Sequence, residues 1–116
     1  MMFKFPEVLP YNWELLKTEP EGRFWIVSNV MTVICSILPY SDGKEWVHLS
    51  VARRTRLPTW EELKQVKEVI LGDRWCAQIF PPKAEYVNTH PYCLHLYSPA
   101  DENYRPMPDF RIAGEI

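Results

Sequence analysis

Three apolar runs with strand character follow one another early in the chain. Gly22 opens G-R-F-W-I-V-S-N, Met31 to Leu38 reads M-T-V-I-C-S-I-L, and Glu45 to Ala52 reads E-W-V-H-L-S-V-A. β-Branched and aromatic residues dominate each run, as suits a pleated, half-buried surface. The link at Asn29-Val30 is short, and Pro39 to Lys44, P-Y-S-D-G-K, carries strong turn chemistry. The three runs therefore predict an antiparallel meander.

The pattern then changes period. Trp60, Leu63, Val66, Val69 and Ile70 recur at helical spacing, and Glu61, Lys64, Lys67 and Glu68 fill the other side. Thr59 is a good N-cap with Glu62 three residues on, a capping box, and Gly72 is a natural stop. Beyond the helix, Trp75 to Phe80 reads as a strand ended by Pro81-Pro82. Tyr86-Val87-Asn88 reads as a short extended piece, and Tyr92 to Tyr97 as the last strand. This order predicts an α+β fold, a mostly antiparallel sheet of about five strands with one amphipathic helix packed on it.

Proline placement divides the chain. Residues 1–21, with Pro6, Pro10 and Pro20, read as an N-terminal arm with one helical turn near Asn12 to Lys17. Residues 22–97 read as a single α+β domain. Residues 98–116 read as a proline-rich tail that wraps the surface or frays.

Composition narrows the function classes. A hydrophobic content of 47% in 116 residues fits one folded domain and argues against disorder. A net charge of −2 gives no global pull toward nucleic acid or anionic membrane, so any attraction for anions must be local. The longest apolar stretch, Val27 to Leu38, is interrupted by Ser28, Asn29, Thr32 and Ser36, short of a membrane span. The N-terminal residues lack the pattern of a secretory signal. Cys35, Cys76 and Cys93 form no C-x-x-C pair and read as reduced, mostly buried thiols of a cytoplasmic protein. No metal site and no cofactor are expected.

The candidate chemistry centres on W-V-H-L-S-V-A-R-R-T-R, residues 46–56. His48 and Ser50 point to one face of their strand. Arg53, Arg54 and Arg56 crowd the loop after it, where guanidinium forks and the start of the helix suit an anion. Glu61 and Glu62 occupy that same helix start and compete for the arginines. A second concentration lies in P-P-K-A-E-Y-V-N-T-H-P, which holds Lys83, Tyr86, Asn88 and His90 between two strands. Together these residues, His48 and Ser50 included, are the expected ligand-binding set. Trp25, Trp46, Trp60 and Trp75 fall on core positions, with Trp60 the best placed for an exposed ring.

His48-Leu49-Ser50 and His95-Leu96-Tyr97 resemble the two H-x-(S/T) motifs of the two-histidine phosphoesterases. That resemblance implies paired imidazoles acting as base and acid on a cyclic or oligonucleotide phosphate, with His48 and His95 the candidate catalytic pair. Tyr97 stands where the second hydroxyl residue belongs, and the chain is short for two pseudo-symmetric halves. The bland alternative is a pair of satisfied histidines on an apolar sheet face.

The longer series is more specific. The motifs W-x-H-L-S, R-L-P-T-W-E-E-L-K, P-P-x-x-x-Y-V-N-x-H-P and L-H-L, with a late P-D-F-R, follow in order over roughly residues 22–111. In this they resemble a family of small, uncharacterised tailed-phage and prophage proteins, a domain of unknown function. The resemblance implies a small accessory protein of the host cell cytoplasm and brings no activity. The leading expectation is a binding protein rather than an enzyme. Its partner would be a host protein or a small anionic, nucleotide-like ligand; nucleic acid is possible but not favoured, and no membrane contact is expected. The alternatives are a reduced two-histidine phosphoesterase and a virion or assembly component. Nothing in the pattern fixes an oligomeric state.

Overall fold

The fold is known from a computed structural model, which describes residues 2–28, 30–39, 43–79, 92–104 and 112–116. The strands are β1 (Glu14–Glu19), β2 (Arg23–Val27), β3 (Met31–Pro39), β4 (Glu45–Arg53), β5 (Ala77–Ile79), β6 (Cys93–Pro99) and β7 (Ile112–Glu115). One helix, α1 (Trp60–Ile70), lies between β4 and β5. The strands form one sheet in the order β1-β2-β3-β4-β6-β5-β7. All neighbouring pairs are antiparallel. The architecture is α+β, as the pattern predicts, but with seven strands among the described residues rather than about five.

The first four strands are a meander. Since β4 and β5 are both antiparallel to β6, which lies between them, they run in the same direction. Such a connection needs a long crossover, and α1 supplies it. The helix begins as its sequence dictates. The Thr59 hydroxyl accepts from the Glu62 N–H at 3.2 Å, and the Glu62 carboxylate accepts from the Thr59 N–H at 2.9 Å. It ends at Leu71, and Gly72 takes φ 63°, a left-handed conformation that side chains disfavour.

Side-chain alternation divides the sheet into two faces. Val47, Leu49 and Val51 of β4 join Ile26, Val33, Cys35 and Leu96 in a buried cluster with Leu63, Val66 and Ile70 of α1. The opposite face takes Trp46, His48, Ser50 and Ala52 from β4. Register sets them beside Leu38, Ser36, Ile34 and Thr32 of β3, and Pro99, Tyr97, His95 and Cys93 of β6. Trp46 is fully buried there without belonging to the helix-side cluster.

Several expectations are corrected. Glu14–Glu19, where one helical turn was expected near Asn12 to Lys17, is strand β1. It is held by its ladder to β2, and every residue but Glu19 is exposed. Ile112–Glu115, expected to lie in a wrapping or fraying tail, adds to the far edge of the sheet as β7. Of the strand expected over Trp75 to Phe80, Ala77–Ile79 form β5 and Trp75 and Cys76 precede it, while Phe80 lies outside the described residues. Of the indoles assigned to the core, only Trp46 is buried; Trp25 and Trp75 are half-buried and Trp60 is 41% exposed. Trp13, on the segment before β1, is buried instead. Cys35 and Cys76 are buried, Cys93 is half-buried, and all three are free thiols.

Candidate functional site

The ladder between β4 and β6 brings both histidine motifs together. His48 stands opposite Tyr97 and Ser50 opposite His95, so the two triplets cross head to tail. The imidazoles meet, with His48 Nε2 2.8 Å from His95 Nδ1. Tyr97 stacks on His48 with ring centroids 4.6 Å apart. Beside them, Ser50 Oγ lies 2.9 Å from Cys93 Sγ.

Burial sets the chemistry of this cluster. It pushes His48 down to about 3, helped by the neighbouring His95 and by Arg23, which β3 separates from His48 by one strand. Burial lowers His95 as well. The Cys93 thiol is pushed up by burial, against hydrogen bonds with Ser50 and the Val51 backbone that favour the thiolate. Two neutral rings thus share one N–H···N bond at neutral pH. A histidine held near 3 is a poor general acid there, and the direct contact leaves no gap between the two nitrogens for a phosphate.

Two of the three candidate arginines, Arg53 and Arg56, gather on the other side of the sheet. Arg53 alternates onto the helix face and pairs with Glu62. Arg56 also bonds Glu62, at 2.8 Å, and reaches the Leu57 carbonyl at 2.9 Å. The Glu62 carboxyl is held down to about 2, chiefly by the Arg56 hydrogen bond, with the Thr59 backbone and Arg53 adding to it. Two guanidiniums on one carboxylate leave the cluster net positive. Arg54 and Arg56 are exposed, and Arg53 is half-buried.

The expected site therefore separates into two. His48 and Ser50 sit on the helix-free face, while Arg53 and Arg56 sit at the start of α1 on the other. The structure unites His48 with His95, and Arg53 with Arg56, but does not bring the two sets together. Lys83, Tyr86, Asn88 and His90 lie outside the described residues.

Beside Glu62 opens a pocket of about 300 Å³. Its walls come from the segment before β1, the β2–β3 link and the exposed side of α1. Sequence reasoning missed it because no motif spans three separated segments; the one local hint is an apolar-polar mix, P-Y-N-W, just ahead of β1. Among the described residues, no group of three or more His, Cys, Asp or Glu converges to hold a metal. No helix among them is long and apolar enough to cross a membrane.

No curated protein and no solved structure matches the chain. A family model does, over residues 38–101, a stretch that carries β4, α1, β5 and β6 and so both the histidine pair and the arginine cluster. Since that stretch is more than half of the sequence, the chain belongs to the family described as a domain of unknown function (DUF7694).

Proposed function

We propose that the protein acts by binding, as a phage-encoded accessory protein whose partner is a small anionic ligand. The observation that carries this reading is the convergence of Arg53 and Arg56 on Glu62. The carboxylate neutralises one guanidinium and orients both, so an incoming anion meets pre-placed donors with net positive charge. Arg54, next in sequence to Arg53, is exposed. The phage origin rests on the series of motifs alone.

A thermal-shift series tests the reading, with inorganic phosphate and nucleoside phosphates against wild type and an R54A/R56A variant. Both residues are exposed, so the variant keeps the fold. Ligand-dependent stabilisation in wild type that is lost in the variant supports the proposal by linkage. No shift with any anion counts against it and turns attention to a host protein.

One observation favours a second reading, a reduced two-histidine phosphoesterase: the ladder that sets His48 against His95. The direct ring contact and the depressed basicity of both rings count against it. Cleavage of a 2′,3′-cyclic nucleotide by wild type, abolished in a folded H48A/H95A variant, would reverse that judgement.

A further inference from the structure

We infer that the pocket beside α1 is the base-binding half of a nucleoside monophosphate site, with Arg56, held against the Glu62 wall, taking the phosphate. The inference rests on the anion reading above and adds the ligand's other half.

The pocket combines the features a nucleobase needs. Trp13 and Met31, both nearly buried, give it an apolar floor, and Tyr11 stands at the rim with its side chain entirely exposed. A free aromatic ring at a pocket mouth is a stacking platform, and every base offers a π-face to it. Asn12 and Gln65 contribute side-chain amides, each with a donor and an acceptor, and Ser28 also lines the pocket. Paired donor and acceptor groups are what the edge of a base presents to an amide. A volume of about 300 Å³ admits one ring system and excludes a long chain.

Charge places the phosphate. Glu62 forms part of the pocket wall, and its carboxylate is already engaged by Arg53, Arg56 and the Thr59 N–H. An anion at this edge meets the arginines rather than a bare carboxylate. Apolar floor, stacking ring and amides line one pocket, and Arg56 reaches its Glu62 wall from beside it, a combination that a phosphate ion or a peptide carboxylate alone would leave mostly unused.

Isothermal titration of the full chain decides the matter. The titrants are AMP, GMP, CMP and UMP, with ribose 5-phosphate as the base-less control. The proteins are wild type, Y11A and R54A/R56A. Tyr11 is fully exposed, so its truncation leaves the fold intact. At least one nucleotide is expected to bind tenfold or more tighter than ribose 5-phosphate. Y11A should lose about tenfold in that nucleotide, the effect of one base stack, and nothing in ribose 5-phosphate. R54A/R56A should weaken both. Equal affinity for nucleotide and ribose 5-phosphate, unchanged in Y11A, overturns the pocket assignment while the arginine anion site stands. Nucleotide binding that ignores R54A/R56A overturns the phosphate placement. No binding by any titrant overturns this inference and the anion reading together.

Discussion

His48 Nε2 and His95 Nδ1 meet at 2.8 Å across the seam between β4 and β6, 47 positions apart in sequence. Only one hydrogen lies between them when both rings are neutral, so one donates and the other accepts. Around the pair stand Tyr97 and Cys93 on β6, Ser36 on β3, Ser50 on β4 and, one strand further, Arg23. No carboxylate from these strands faces it to welcome a proton.

Stability should therefore fall as the solution is acidified, before any carboxylate protonates. The folded pKa of His48 lies near 3, below its usual 6.5, so the unfolded chain binds more protons between those limits. Stability contributed by the neutral pair is fully present above pH 6.5 and is lost as pH falls toward 3. Its full size is on the order of a few kcal/mol, by the relation between pKa and free energy. Urea midpoints should drop between pH 7 and pH 5, and a folded His48→Asn variant should show a flatter profile. A midpoint that stays constant over that range in wild type would contradict the buried neutral pair.

Much of this fold was legible in the chain, for reasons that differ by element. Helix α1 advertised itself through Thr59, Glu62 and Gly72, which encode both ends locally. Strands β2, β3, β4 and β6 carry enough Val, Ile, Trp and Tyr to mark a pleated surface. By contrast E-L-L-K-T-E in β1 buries neither face, so alternation had nothing to report, and its order comes from the ladder to β2. β7 is short and contains Gly114; it is set by tertiary contact, including the Ile116 N–H to Cys76 carbonyl bond at 2.8 Å. For the site, each motif was visible but their relation was not. His48 and Arg53 are five residues apart, and an odd step along a strand sends them to opposite faces. Sequence proximity suggested one site where alternation produces two.

Glu62 should prove more important to stability than a surface acid normally is. It closes the capping box and takes both Arg53 and Arg56. Glu62→Gln keeps the cap partner but removes the charge, leaving the half-buried Arg53 guanidinium without its carboxylate. A loss of about 1–3 kcal/mol is expected in chemical denaturation. Thr59→Ala, which removes the hydroxyl acceptor alone, should cost about 1 kcal/mol. If Glu62→Gln were as harmless as a typical exposed ion pair, below about 0.5 kcal/mol, the cluster would be no more than surface decoration.

The thiols should be inert while the chain is folded. Burial pushes Cys35 and Cys76 up to about 12 and raises Cys93. The thiolate is the reacting species; it is nearly absent at pH 8 for Cys35 and Cys76 and disfavoured by burial for Cys93. A chromogenic disulfide reagent should label none of the three quickly in buffer and all three in denaturant. Cys93 is the first to be expected in a slow phase, since it is the half-buried one. Fast labelling of Cys35 or Cys76 in buffer would mean that the sheet opens far more readily than its packing allows.

The edge strand β7 gives a sharper test of packing. A Cβ at Gly114 would lie 3.2 Å from the Trp60 ring, closer than side chains comfortably approach. Gly114 has no left-handed backbone, so alanine is conformationally acceptable there and should gain roughly 0.4–1 kcal/mol by restricting the unfolded chain. In wild type that gain must be spent on displacing the indole. With Trp60→Ala in place, the obstacle is gone and Gly114→Ala should stabilise outright. The two substitutions are therefore expected to couple by about 0.5–1.5 kcal/mol in a double-mutant cycle. Additive effects would place the indole elsewhere than over β7. Coupling of the expected sign would establish that the helix start holds the edge of the sheet through this one ring.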